Sequence, residues 1–315
     1  MEDIMKKEKQ KNSKVEKSYS LLIFGAVAFL LTVVLAIYTY NTGYKDSLAA
    51  GSEIAADAKL DLERPYAFSL TAVFVSAMLL LRGLYLAVIG VHKESAAENN
   101  KHTTRMIQAG LLAALCYIGF AFLKIDIPVG TEKTAFHLGN TFCALAALLL
   151  GGYWGGLAGA VGMTIGDLTT SYVTSAPKTF FLKLMIGLIV GFFAHKVFKL
   201  SRKHDAKYLT VATLLSCIAG LGFNVVADPL VGYFYKTYLF GLPQDISKAL
   251  AKMSAITTFV NAVVAVAAST IIYLAIRPAL RKAGLFVQVT PEKPGKENAE
   301  DGEPLKKTSK EKTPA

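Results

Sequence analysis

The hydrophobic residues of the chain fall in long continuous blocks rather than in one-sided stripes. A membrane-spanning helix needs roughly 20 predominantly apolar residues, and eight segments approach that length. These predicted spans are residues 19–40, 66–91, 106–124, 136–150, 153–172, 178–198, 208–235 and 248–276. The pattern predicts an all-α integral membrane protein with eight spans, of which the fourth is the shortest.

The fifth predicted span is unusually rich in glycine. A glycine costs a water-exposed helix about 1 kcal/mol relative to alanine, but in a bilayer it lets neighbouring helix backbones approach closely. The stretch GGYWGGLAGAVGMTIGDL contains Gly151, Gly152, Gly155, Gly156, Gly159, Gly162 and Gly166. We therefore expect a closely packed bundle of several helices.

Polar segments divide the chain into five parts. The run HKESAAENNKHTTR at residues 92–105 predicts a cytoplasmic linker. It separates an N-terminal two-helix transmembrane hairpin, residues 19–91, from a core of six helices, residues 106–282. A basic cytoplasmic tail, residues 1–18, comes first. Residues 283–315 form a second cytoplasmic tail, which we expect to be disordered because its last part is rich in Pro, Lys, Glu and Gly.

Composition and charge support this topology. The chain is 53% hydrophobic and its mean hydropathy is +0.42. Its net charge of +11 is concentrated in the two tails, the linker and the connection at 199–207, which all lie on one side if there are eight spans. Because cytoplasmic flanks retain Lys and Arg, we expect both termini in the cytoplasm and a multi-pass protein of the cell membrane. We interpret the charge as a signal of topology and lipid contact rather than of nucleic-acid binding.

Charged residues inside predicted spans are candidates for a binding site. They are costly in a bilayer and usually mark a pathway, a site or a satisfied structural pair. The chain has Arg82, Asp167, Lys183, Asp228 and Lys252 at such positions.

Spacing on the last two predicted spans indicates two polar faces. Asn224 and Asp228 are four residues apart and share one helix face, and Ser254, Thr258 and Asn261 follow the same rule. If the lysines also point inward, these faces line a pocket, with aromatic rings available for stacking from Tyr172, Phe180, Tyr233 and Tyr235. The alternative is that Asp228 only pairs with one lysine to satisfy the bundle.

Signatures of catalysis and metal binding are scarce. The chain has no phosphate-binding G-x-x-x-x-G-K-[ST] loop, no H-E-x-x-H and no G-x-S-x-G. Cys116, Cys143 and Cys217 lack the spacing of a metal site. We therefore expect no enzyme, no metal and no cofactor.

Two intramembrane aspartates leave one catalytic hypothesis open. In an aspartyl protease two carboxylates share a proton, and Asp167 and Asp228 are the available pair. The residues before Asp167 are Thr-Ile-Gly, however, and do not form the G-x-G-D pattern of intramembrane proteases. This is the weakest of the alternatives.

Three motifs give the core a family resemblance. They are Leu-Gly-Asn-Thr at residues 138–141, the glycine-rich stretch, and Ala-Pro-Lys-Thr-Phe at residues 176–180, followed by Lys183 and Gly187. With them, residues 106–282 resemble the substrate-binding S component of energy-coupling-factor (ECF) vitamin transporters, in the riboflavin and hydroxymethylpyrimidine branch.

The resemblance implies a six-helix bundle that captures a vitamin or vitamin precursor from outside, beneath a lid formed by residues 124–136. The pocket would be built from this lid and the last three helices. We expect the substrate to contact residues from both polar faces and from the helices before them: Asn140, Tyr172, Phe180, Lys183, Asn224, Asp228, Lys252 and Asn261. Riboflavin, a pyrimidine precursor of thiamine and a pyridoxine-like ring all suit such a pocket.

The resemblance also implies partners. S components work with a transmembrane coupling subunit and two ATPase subunits, and they dock through small residues spaced by four on their first core helix. Ala109 with Ala113, and Gly110 with Ala114, fit that spacing. The N-terminal hairpin is an addition to the usual six-helix core and is expected to alter docking or to contact a dedicated partner. The main alternative from another class is a membrane scaffold without a ligand.

Overall fold

The computed structural model describes residues 2–50, 56–89, 96–129, 132–202, 204–287 and 289. Its helices are α1 (Glu2–Thr39), α2 (Lys45–Ala50), α3 (Ala56–Ile89), α4 (Ala96–Ala121), α5 (Gly139–Leu150), α6 (Gly152–Thr169), α7 (Ala176–Gly191), α8 (Ala206–Tyr238) and α9 (Gln244–Lys282). Single turns of π-helix at Tyr40–Tyr44 and Phe192–Val197, and a 3₁₀ turn at Val173–Ser175, adjoin them. Two antiparallel strands, β1 (Lys124–Val129) and β2 (Glu132–His137), form a β-hairpin.

Six helices in the described part of the chain are long and apolar enough to cross a membrane, namely α1, α3, α4, α7, α8 and α9. Helix α5 is apolar but has only 12 residues, which is about 18 Å, against a hydrocarbon thickness of roughly 30 Å. Helix α6 has 18 residues, but its glycines contribute little apolar surface. Each predicted span thus corresponds to a helix, but two of these helices are not spans by length and composition.

The helical membrane fold is confirmed, but the connection between α4 and α5, predicted as a loop, contains two short strands. Residues 132–137 form β2, so the helix predicted at residue 136 begins only at Gly139. The alternation of Ile125, Ile127 and Val129 is the pattern of a strand, and backbone pairing to β2 satisfies polar groups that a loop would expose. The expected lid is therefore a β-hairpin.

Two other predicted connections are partly helical. The connection between the first two predicted spans, residues 41–65, contains the first π turn, α2 and the start of α3, while residues 51–55 lie outside the described part. The predicted linker at 92–105 belongs to α4 from Ala96 onward, and residues 90–95 lie outside the described part.

The close packing predicted from the glycines is confirmed. Gly151, with φ of 85°, reverses the chain between α5 and α6. An added Cβ at Gly155 would overlap the backbone of Ala147 on α5, and one at Gly162 would overlap the carbonyl of Ala113 on α4. On the α7 side, a Cβ at Gly187 would overlap the backbone of α6. Helix α6 therefore lies in backbone contact with three neighbours.

The N-terminal helix pair, α1 and α3, packs on one side of this core. A hydrogen bond of 2.9 Å joins Thr32 to Ser76 within the pair. Helix α3 contacts α7 and the 3₁₀ turn, and the guanidinium of Arg82 lies 4.9 Å from the ring centroid of Tyr153 on α6. Only 11% of the most apolar part of this first span is buried, as expected for a helix that faces lipid.

The segment after α9 folds back on the bundle. Gln108 donates a hydrogen bond of 2.9 Å to the carbonyl of Leu285, the backbone N–H of Val289 donates to Ser201, and Arg281 stacks on Phe286. The prediction of a disordered tail from residue 283 was therefore wrong for residues 283–287, and residues 290–315 lie outside the described part.

Candidate substrate-binding site

A cavity lies beneath the β-hairpin, between β2 and the ends of α5 to α9. The empty space there is about 780 Å³, a figure that includes open space at the mouth of the cavity. The polar or aromatic side chains in its wall are Phe120, Lys133, Thr134, His137, Asn140, Asp167, Tyr172, Ser175, Lys178, Thr179, Lys183, Asp228, Lys236, Ser254, Thr257, Thr258 and Asn261.

Asp228 is the centre of a charged network at the cavity wall. Its Oδ1 pairs with the ammonium of Lys178 at 3.0 Å, and its Oδ2 accepts hydrogen bonds from Ser254 and Thr258. The polar faces predicted on the last two spans therefore do meet. Lys178 passes over Gly232, where an added Cβ would lie 3.2 Å from its Nζ. The absence of a side chain there leaves room for this ion pair.

Lys183 lies deeper in the cavity and has no such partner. Its side chain is buried, with 6% exposure, yet in the described part of the chain its ammonium forms no ion pair and no hydrogen bond. Nearby, Asn140 Oδ1 and Asp167 Oδ2 are buried and accept no hydrogen bond from the described residues. Unsatisfied buried polar groups are expensive. A ligand with donors for Asn140 and Asp167 would satisfy both oxygens, and an acceptor on it could bind Lys183.

The β-hairpin is held over the cavity by side chains from below. The amide of Asn261 donates to the carbonyl of Ala135 at 3.0 Å and accepts from the backbone N–H of His137 at 3.0 Å. The hydroxyl of Tyr172 lies 2.9 Å from Asp126 Oδ1 and 3.0 Å from the carbonyl of Thr134. Both residues line the cavity, as expected, but these polar groups are already occupied in positioning its roof.

Aromatic rings form one wall. Phe120 packs edge-on against His137, with ring centroids 5.0 Å apart, and against Tyr172 at 5.5 Å. Burial and the positive charge of Lys183 lower the pKa of His137 to about 3. The imidazole is therefore neutral at physiological pH, and the positive charge at this wall comes from Lys124, whose ammonium lies 5.7 Å from the ring centroid of Phe120 and 4.5 Å from that of Tyr172.

Three of the predicted site residues do not line the cavity. Phe180 packs with Leu184 and Ala160 against the N-terminal helix pair. Lys252 is exposed because it lies two positions before Ser254, on the opposite side of the helix. Asn224 is buried one turn from Asp228. The lysine expected at 252 is replaced in the site by Lys178, near the start of α7.

Sequence reasoning missed Lys178, His137 and Lys236 as members of the site. Lys236 continues the face of Asn224 and Asp228 through Gly232 at intervals of four, so extension of the same pattern would have found it. Lys178 was visible in the 176–180 motif at the start of its helix. His137 had no signal, because only the β-hairpin places it over the cavity.

The two pairs of small residues on α4 face in different directions. Ala109 is buried in the hydrophobic core, and the carbonyl of Ala113 lies against Gly162. Gly110 and Ala114 are exposed, and no atom of another residue approaches the Cβ position of Gly110 within 4 Å. As far as the structure describes the chain, the second of these two pairs is therefore the one open to a partner.

Comparison with known families gives one result. The family model described as "ECF-type riboflavin transporter, S component" matches residues 100–278, which run from the first turns of α4 almost to the end of α9. Comparisons with curated proteins and with solved structures give no significant match. Since the family match covers more than half of the chain, the protein belongs to the ECF-type riboflavin transporter S components.

Proposed function

We propose that this protein is the subunit that captures riboflavin, or a closely similar ring compound, for uptake by an ECF-type importer. The observation that carries this proposal is a cavity whose wall contains the buried Lys183 together with two oxygens, Asn140 Oδ1 and Asp167 Oδ2, that accept no hydrogen bond from the described part of the chain. The family match supports riboflavin as the first candidate among the ring compounds that suit the sequence.

The chemistry of a flavin ring matches these groups. Its pyrimidine edge offers carbonyl oxygens, which a lysine ammonium can approach, beside an N–H that an amide or carboxylate oxygen can accept. Its flat faces suit the wall formed by Phe120 and Tyr172. Binding of this kind needs no covalent step. We therefore propose a binding subunit and assign ATP hydrolysis to separate partner subunits.

The charge network favours binding over proteolysis. Both oxygens of Asp228 are engaged, by Lys178 on one side and by Ser254 and Thr258 on the other. A protease dyad instead needs two carboxylates that share one proton. In this arrangement Asp228 acts as a fixed counter-charge.

We also propose eight crossings with both termini in the cytoplasm. Helices α5 and α6 run antiparallel through a single residue, Gly151, so together they return the chain to the side from which it came. The number of crossings is therefore even whether or not these two helices reach fully across. The basic tails and the connection at 199–207 then lie on the cytoplasmic side, and the cavity opens outward.

The direct test is riboflavin binding by the purified protein. We expect quenching of riboflavin fluorescence and a rise in melting temperature in detergent, with smaller effects from thiamine precursors and pyridoxine. In right-side-out membrane vesicles, riboflavin added outside should reach the same site. A screen of water-soluble vitamins and their precursors in which none shifts the melting temperature would favour the scaffold alternative.

Docking on the coupling subunit is proposed to use the exposed face of α4. Small residues let a partner helix approach closely, and Gly110 and Ala114 provide such a surface on the outside of the bundle.

A leucine at position 114 should therefore separate docking from binding. We expect Ala114→Leu to reduce co-purification with the coupling subunit by about tenfold while riboflavin affinity stays unchanged, because the cavity lies on the other side of α4. Ala275→Leu, at an exposed position of α9, is the matched control. Equal co-purification of both variants would remove this face from the interface.

A further inference from the structure

An ion pair joins the turn end of the β-hairpin to α8. Lys236 pairs with Glu132, the first residue of β2, and donates a second hydrogen bond of 3.0 Å to Thr174. The side chains of Lys236 and Glu132 are only 9% and 13% exposed. Such a shielded pair is a strong constraint once its members are held in place, and removal of one partner is costly.

The segment that carries Lys236 is fixed by the N-terminal helix pair. Tyr44 is 1% exposed, and its hydroxyl donates a hydrogen bond of 2.6 Å to the carbonyl of Phe240. The ring centroid of Tyr44 lies 4.6 Å from that of Tyr66 and 5.1 Å from that of Phe240. Tyr235, which directly precedes Lys236, packs on Phe240 at 5.1 Å.

The same turn is hydrogen-bonded back onto α8. The backbone N–H of Leu242 donates to the carbonyl of Lys236 at 3.1 Å, and that of Leu239 donates to Tyr235 at 2.9 Å. The cluster of Tyr44, Tyr66, Tyr235 and Phe240 therefore restrains the end of α8 as a unit. Glu63 on α3 is also buried and interacts electrostatically with Lys236 and Glu132.

We propose that the N-terminal helix pair, through the turn that joins its helices, acts as a clamp that keeps the β-hairpin, the outer gate of the site, closed over the cavity. In this clamp Tyr44, through Phe240 and Tyr235, positions Lys236 for the ion pair that holds the β-hairpin in place. Tyr44 is in this view a positioning residue and does not touch the substrate. The consequence for uptake, slower release of bound substrate to the outside, rests on the proposed function. The clamp itself does not depend on the identity of the ligand.

The test is amide hydrogen exchange of β1 and β2 in the full chain, in lipid nanodiscs without ligand. We expect Tyr44→Phe, which removes one buried hydrogen bond, to speed this exchange about fivefold, and Glu132→Gln to speed it about tenfold or more. Tyr38→Phe is the matched control, since Tyr38 lies on α1, just before the π turn that carries Tyr44, and is 63% exposed. Peptides from α5 and α6 should exchange at the wild-type rate in all variants.

The double variant decides whether Tyr44 acts through the ion pair. If it does, Tyr44→Phe adds nothing to the exchange rate in the Glu132→Gln background. Additive effects, or no effect of Tyr44→Phe alone, would overturn the proposal.

Riboflavin dissociation, measured with the same variants, separates this proposal from the previous one. Riboflavin release that becomes faster in proportion to the amide exchange of β1 and β2 supports both proposals. If the two substitutions have non-additive effects on amide exchange but the protein binds no riboflavin, the clamp is supported and the proposed substrate is refuted.

Discussion

Replacement of Asp228 by asparagine is expected to weaken riboflavin binding by at least tenfold and to lower the free energy of unfolding by about 3–5 kcal/mol. The carboxylate is the counter-charge of Lys178 and also interacts with Lys183. Asparagine keeps the size of the side chain but leaves Lys178 without its ion-pair partner and removes one of the two carboxylates that interact electrostatically with Lys183, the other being Asp167. Binding is measured by fluorescence titration and stability by reversible unfolding in detergent.

Two variants show whether the charge is the cause. Asp245→Asn removes a carboxylate from an exposed position in the first turn of α9 and should cost at most a few tenths of a kcal/mol, as exposed charges do. Combining Asp228→Asn with Lys178→Met removes both members of the pair and should restore most of the lost stability. Wild-type affinity in Asp228→Asn would exclude this aspartate from the site.

Introduction of a single methyl group at Gly187 is expected to destabilise the protein by about 3 kcal/mol, the upper end of the usual cost of overpacking. Gly187 on α7 lies directly on Gly156 of α6, so an added Cβ meets backbone atoms rather than a mobile side chain. Helices α6 and α7 would have to separate. Because both contribute residues to the cavity, riboflavin affinity should fall as well.

Gly222→Ala is the matched control for this experiment. Gly222 lies on α8, and among the described residues no atom outside the adjacent backbone of that helix lies within 4 Å of its Cβ position. Alanine there should be neutral or stabilising by up to about 1 kcal/mol, the difference in helix propensity. Thermal unfolding of both variants in the same detergent is the measurement. Equal melting temperatures would contradict the conclusion that backbone contact between α6 and α7 determines the packing of the core.

Part of the site could be predicted because it depends on local periodicity. The spacing of Asp228 on α8, and of Ser254 and Thr258 on α9, is a property of any helix, and these three residues do meet in the structure. The same spacing cannot tell which lysine faces them. Lys178 occupies that place and Lys252 points outward, because helix rotation is fixed by packing against neighbours.

The β-hairpin shows the second limit of sequence reasoning. Apolar and polar residues alternate over residues 124–129, as in a strand. A short strand is stable only with a partner, however, and the family resemblance predicted a loop as the lid. The hairpin in turn places His137 over the cavity and brings Glu132 to Lys236. These long-range contacts join residues about 100 positions apart, and no local pattern encodes them.

The amino-acid sequence by itself determined that this is a membrane protein, that its helices pack through glycine and that its core resembles a transport subunit. These results follow from the length of hydrophobic segments, the size of residues and the order of motifs, which are local properties. The tertiary structure decided which polar groups remain without partners, which small residues face outward and how the N-terminal helices reach the gate. Those outcomes depend on the rotation and contact of whole helices, and the energy of each buried charge is set by neighbours that are remote in the chain.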